Sequence, residues 1–189
     1  TDGATTASMK VEVSALAVAA SSVRLRPTMP PKAERASASR ARSILLRGAD
    51  EVATALPSLT CRLLTAAVIP PLRAGDPNAA IETGRRAMDL ASPAGSEEVA
   101  AAVVLGTALC LGGEPAKARD LVVRAQEQVA AGSGRLAPET DVYLGAVLRL
   151  VGDNEASRSQ LEGTIERARS NGSVSVLAYA LVRLADVET

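Results

Sequence analysis

The stretch Leu105–Val122, LGTALCLGGEPAKARDLV, reads as two helices meeting at a tight corner. Its first half is apolar, with a small residue at Gly106. Gly112-Gly113 then stop it, because glycine takes up the left-handed backbone that closes a helix at little steric cost. Glu114 follows where the unpaired amides and the dipole of a new helix favour an acid. Pro115 fits the first turn of that helix, where its missing N–H costs nothing. Ala118 and Val122 restart an apolar face at helical spacing.

The corner recurs. Gly75-Asp76-Pro77-Asn78-Ala79-Ala80 precedes it and Gly152-Asp153-Asn154-Glu155-Ala156-Ser157 follows it, so the glycines stand 38 and 39 residues apart. That is the length of one helical hairpin with its connection, and a fixed period of this size is the mark of a repeat array. At an offset of 39, Leu105 falls on Leu144, Gly106 on Gly145, Leu109 on Leu148, Ala118 on Ser157 and Val122 on Leu161. The fold expected is all-α, an α-solenoid of stacked antiparallel helix hairpins over residues 41–189. The unit around Gly75 matches less well, because Pro70 and Pro71 must kink or end its first helix. Near the C-terminus Val174, Leu177, Leu181, Leu184 and Val187 mark a first helix with no corner after it. The partner helix is expected in a longer parent chain. A broad apolar stripe must be buried against something, so this segment alone is predicted to self-associate, which sedimentation at rising concentration would register.

Leu105-Gly106-x-x-Leu109 with Ala118-x-x-x-Val122, and Leu144-Gly145-x-x-Leu148 with Ser157-x-x-x-Leu161, resemble the tetratricopeptide pattern L-G-x-x-Y followed by A-x-x-x-F. Small residues let the two helices of a hairpin approach, and large apolar ones fill the seam. Both aromatics of the pattern are replaced by aliphatics, and Ala102 and Asp141 stand where its tryptophan belongs. The resemblance implies that first helices line a concave face, with Arg62, Arg73, Thr107, Arg149 and Asp186 pointing into it. An arginine there could clamp a carboxylate bidentately or be a solvated rim residue.

Composition narrows the functions available. Aromatic content is 1%, only Tyr143 and Tyr179, so a base-stacking platform for single-stranded nucleic acid is unexpected and the core must be Ala, Val, Leu and Ile. Histidine is absent, which removes Ser-His-Asp and Cys-His nucleophile systems and imidazole zinc sites. No G-x-x-x-x-G-K-[ST] loop occurs, so P-loop nucleotide hydrolysis is not encoded here. Gly132-Ser133-Gly134 reads as a connector and Glu97-Glu98 as first-turn capping acids. No enzyme activity, cofactor or metal is expected. Cys61 and Cys110 sit in apolar runs without a C-x-x-C pair, and read as buried free thiols suited to a reducing cytoplasm.

Residues 1–40 read as a poorly defined basic, proline-containing segment. Between residues 24 and 47, Arg24, Arg26, Lys32, Arg35, Arg40, Arg42 and Arg47 face Glu34 alone. Such charge can attract phosphates, but Pro27, Pro30, Pro31 and several serines give it the composition of a solvated linker. Val11 to Ala20 after Met9-Lys10 is weakly signal-like, and Glu12 interrupts it.

From about Asp76 to Glu188 the chain resembles the helical-repeat region of the large ATP-binding LuxR-type (MalT-like) transcription regulators of bacteria. The lines that carry the likeness are VVLGTALCLGGEPAKARDLVVRAQEQVAAG and LAYALVRLADVE. In that family a nucleotide-binding module and a helix-turn-helix reader flank the repeats. The resemblance therefore implies a sensor and scaffold segment that holds a protein or peptide partner, neighbouring domains or a small-molecule inducer, with no membrane contact and no direct contact of its repeats with nucleic acid. A stand-alone tetratricopeptide adaptor unrelated to transcription is the other reading.

Overall fold

The structure, a computed structural model, describes residues 32–93, 95–132 and 136–188. It is all-helical there, without strands. The helices are α1 Lys32–Val52, α2 Pro57–Ala67, α3 Ile69–Ala74, α4 Pro77–Leu90, α5 Ser96–Leu111, α6 Pro115–Ala130, α7 Pro138–Leu150, α8 Asn154–Ser170 and α9 Val174–Val187.

Each expected corner is a helix end closed by glycine. Gly75, Gly113 and Gly152 have φ of 75°, 83° and 89°. After each, the next amide reaches back to the carbonyl five residues earlier, Asp76 to Pro71 at 2.9 Å, Glu114 to Leu109 at 2.8 Å and Asp153 to Leu148 at 2.9 Å. This is the Schellman arrangement, which satisfies carbonyls that the helix leaves open. The acid then caps the next helix: Asp76 Oδ1 accepts from the Ala79 amide and Asp153 Oδ1 from the Ala156 amide, both at 3.0 Å. Glu114 is one methylene longer and pairs with Lys117 instead.

Pro70 and Pro71 do break the first helix of their unit. Lacking N–H groups, they cannot bond the carbonyls of Ala66 and Ala67, and the helix divides into α2 and α3 at Val68. A second set of corners joins the units, of which the Gly132 connector was read from sequence and the Gly172 corner was not. Gly132 and Gly172, with φ of 76° and 66°, end α6 and α8 and stand 40 residues apart.

The packing follows chain order. α5 lies against α6 and α7 against α8, while α4 packs on α5 and α8 on α9. The first helices also pack on one another in succession: α2 on α5, α5 on α7, α7 on α9. No comparable packing joins α6 to α8. α5 is the centre of the core, with Ala101 to Leu109 buried without interruption. Gly106 and Gly145 sit in the hairpin seams as expected. A Cβ on Gly106 would lie 2.8 Å from Val122 Cγ2, and one on Gly145 2.6 Å from Leu161 Cγ.

The segment read as a linker is corrected in part. Helix α1 begins at Lys32, ahead of residue 41, so residues 32–47 are helical, while residues 1–31 lie outside the described residues. Tertiary contacts hold α1. Ala49 is buried with Leu64 and Ala87, Arg42 Nη2 donates to Thr83 Oγ1 at 3.0 Å, and Arg86 pairs with Asp50 at 3.1 Å. Arg42 is thereby spent on the fold and withdrawn from any phosphate.

Candidate functional site

Where α2, α5 and α7 pack side by side, their exposed faces leave a cleft of about 600 Å³. It exists because small side chains face it from all three: Ala66 on α2, Ala100 on α5 and Ala137 at the start of α7. Ile69, Val104 and Tyr143 make its apolar end, and Arg62, Glu97 and Glu139 stand at the other. The volume falls in the range of pockets that enclose a small ligand or a few residues of peptide.

Glu97 is held in place. Ser58 donates its hydroxyl to Oε1 at 2.7 Å and Ser96 donates to Oε2 at 3.3 Å. The Ser58 bond and a backbone hydrogen bond, with smaller contributions from Ser96 and the Arg62 guanidinium, keep the carboxyl below its ordinary pKa. Glu139 is exposed at the start of α7.

At the apolar end the chain's two aromatics meet. The Tyr143 and Tyr179 rings are edge-to-face, with centroids 6.0 Å apart. Arg183 lies over the Tyr179 ring at 4.9 Å, donates from Nη2 to Tyr179 Oη at 3.0 Å and pairs through Nη1 with Asp186 at 3.2 Å. Burial pushes the Tyr143 hydroxyl above its usual pKa, so it stays protonated, while Arg73 and Arg183 place positive potential on it.

The five sequence-chosen positions divide accordingly. Arg62 lines the cleft. Arg73 is exposed on α3 and acts electrostatically on Tyr143. Asp186 does not line the cleft; it pairs with Arg183, which in turn bonds Tyr179. Thr107 does not face a groove: it is buried in α5, and its hydroxyl donates to the Val103 carbonyl at 2.9 Å. Arg149 is half-buried in the last turn of α7 and does not line the cleft. Tyr143, Tyr179, Glu139 and Arg183 were missed, and Glu97 was read as a cap alone. The available signal was that both aromatics fall in first helices of successive units.

The buried acid at the expected tryptophan position is structural. Asp141 is 8% exposed and accepts from Arg167 Nη2 at 2.9 Å and Gln160 Nε2 at 3.3 Å. Desolvation raises its pKa, and Arg167 opposes that rise. Both cysteines are unpaired thiols, and burial pushes their pKa values up, which suppresses the reactive thiolate. Among the described residues no group of three metal-ligating side chains gathers, and no helix is long and apolar enough to cross a membrane.

Comparison with protein-family models, with curated proteins and with solved structures finds no match to the chain.

Proposed function

We propose that the chain is a non-catalytic, tetratricopeptide-like α-solenoid segment that holds a partner polypeptide against the face of its first helices. The observation that carries this reading is the cleft across α2, α5 and α7, floored by small side chains and charged at one end. The succession of packed first helices supports the solenoid. So does the lack of comparable packing between α6 and α8. Packing that is close on one side and open on the other curves a stack, with the closer side concave. A rigid concave surface is what such arrays offer to extended partners.

We place this scaffold in the cytoplasm, where its two unpaired thiols are stable, as the helical-repeat segment of a LuxR-type ATP-dependent regulator. The stretches that carry that likeness form α5, α6 and α9. A stand-alone adaptor would use the same cleft. The coding sequence on either side separates the two, since the regulator requires a P-loop module before the repeats and a helix-turn-helix after them.

Peptide display against the purified chain tests the scaffold itself. Wild type should enrich a peptide family, and Ala66→Arg should lose it, because Ala66 is an exposed helical residue whose replacement fills the cleft without entering the core. Circular dichroism of the variant should be unchanged. Enrichment that survives both Ala66→Arg and Ala137→Arg would refute binding in this cleft.

A further inference from the structure

Helix α1 turns a basic stretch of sequence into a basic surface. Residues 35–49 hold four arginines, Arg35, Arg40, Arg42 and Arg47, and no acid. A linker would scatter those charges, whereas a helix sorts them, because each residue turns the chain by about 100°. Leu46 and Ala49 go to the core, Arg42 goes with them to Thr83, and Arg35 is half-buried. Lys32, Arg40 and Arg47 fall within about a quarter turn of one another on the outer side. All three are exposed, and so are Ala36, Ser39 and Ser43 on the same side. Glu34 lies nearly half a turn round the helix. The acids at the other end are Asp50 and Glu51 in the last turn, and Asp50 is paired with Arg86 at 3.1 Å.

The shape and chemistry of this face favour one kind of anion. Lys32 and Arg47 are 15 residues apart, which at the rise of an α-helix is about 22 Å. Duplex DNA carries one charge per about 1.7 Å of its axis, so a row of that length meets several phosphates. The small side chains among the cations let a backbone approach, and Arg, Lys and Ser are groups that hold phosphate oxygens. α1 has no Asn, Gln or aromatic side chain with which to read or stack on bases. An anionic bilayer would also meet the charge, but a helix at a membrane surface inserts an apolar face. α1 has spent its leucines on the fold, and Ile44, 55% exposed, is the large apolar side chain it leaves outside. The formal net charge of the chain is zero, so there is no general attraction to a polyanion and any binding must come from a local face.

We propose that the outer face of α1 docks on the sugar-phosphate backbone of duplex nucleic acid, with Lys32, Arg40 and Arg47 as its phosphate contacts. The likeness to transcription regulators does not imply this contact. The face is separate from the cleft, to which α1 contributes no side chain, so it stands whether or not the cleft holds a peptide.

Fluorescence anisotropy of the full chain with a short labelled DNA duplex tests this, in salt rising from about 50 to 200 mM. Three phosphate contacts give a slope of log affinity on log salt of about −2.7, so affinity should fall about fortyfold over that range. Arg40→Gln combined with Arg47→Gln should bring the slope to about −0.9 and weaken low-salt binding by about tenfold or more. A duplex of unrelated sequence should give the same values, since phosphate contacts carry no sequence information. Lys117→Gln combined with Arg124→Gln removes two exposed cations from α6 and should leave affinity and slope unchanged. No binding at about 0.1 mM protein, the weak end of non-specific affinity, would overturn the proposal. So would an α1 variant that keeps the wild-type slope, or an equal loss from the α6 variant, which would make the attraction a property of the whole surface. Vesicles of phosphatidylserine and phosphatidylcholine are the last probe. If they bind wild type and not the α1 variant while the duplex binds neither, the face belongs to a membrane and the nucleic-acid assignment falls.

Discussion

Leu161→Ala should lower the unfolding free energy by about 2–5 kcal/mol, the range for truncating a fully buried leucine. Leu161 has no exposed surface and fills the notch over Gly145 in the seam between α7 and α8. Its loss removes both its own burial and the contacts it makes with its surroundings, which include Val142, Ile165 and Val176. The seam cannot easily collapse to heal the gap, because Ser157 Oγ donates to the Gly145 carbonyl at 2.7 Å and fixes the spacing of the two backbones. Urea unfolding should show a lower midpoint with little change in slope, the signature of lost stability in an unchanged fold. A midpoint within error of wild type would mean that this seam does not hold the hairpin together.

How much of this could be read in the residues depended on how local the cause was. The glycine corners were legible because everything that makes them lies within six residues: Gly75 for the positive φ, Asp76 for the cap, Pro77 for the first turn. The start of helix α1, residues 32–40, was not, since this stretch has weak apolar periodicity and follows prolines, while the helix is pinned by contacts such as Arg42 to Thr83, 41 residues on. Thr107 misled for a related reason. The repeat resemblance turns one face of each first helix toward a groove, but α5 is covered on all sides over Ala101 to Leu109, so its hydroxyl must turn back on its own helix. The cleft was half legible. Arg62 was found from its helical position, whereas the floor comes from Ala66, Ala100 and Ala137, three small residues that mean nothing until three helices bring them together.

Gly145→Leu is the counterpart of the leucine truncation, and it should destabilise by overpacking at the same seam. Even a single Cβ here would stand 2.6 Å from Leu161 Cγ and 2.7 Å from its Cδ2. The atom met first is the branch point of a buried side chain, which cannot swing aside as the tip of a flexible one could. Forced insertion into a packed core costs about 1–3 kcal/mol. Parting the helices to relieve it would also stretch the Ser157 bond to the Gly145 carbonyl, worth about 0.5–1.5 kcal/mol. Gly145→Ala is the finer probe, because alanine gains about 1 kcal/mol in helix propensity against the clash. Its sign is therefore set by whether Leu161 can yield. The double variant Gly145→Ala with Leu161→Ala decides the cause: truncating Leu161 makes room for the new methyl, so the two costs should fall short of their sum by about 0.5–3 kcal/mol. Strict additivity would show that the two residues do not share one space, and the close approach of α7 and α8 would need another explanation.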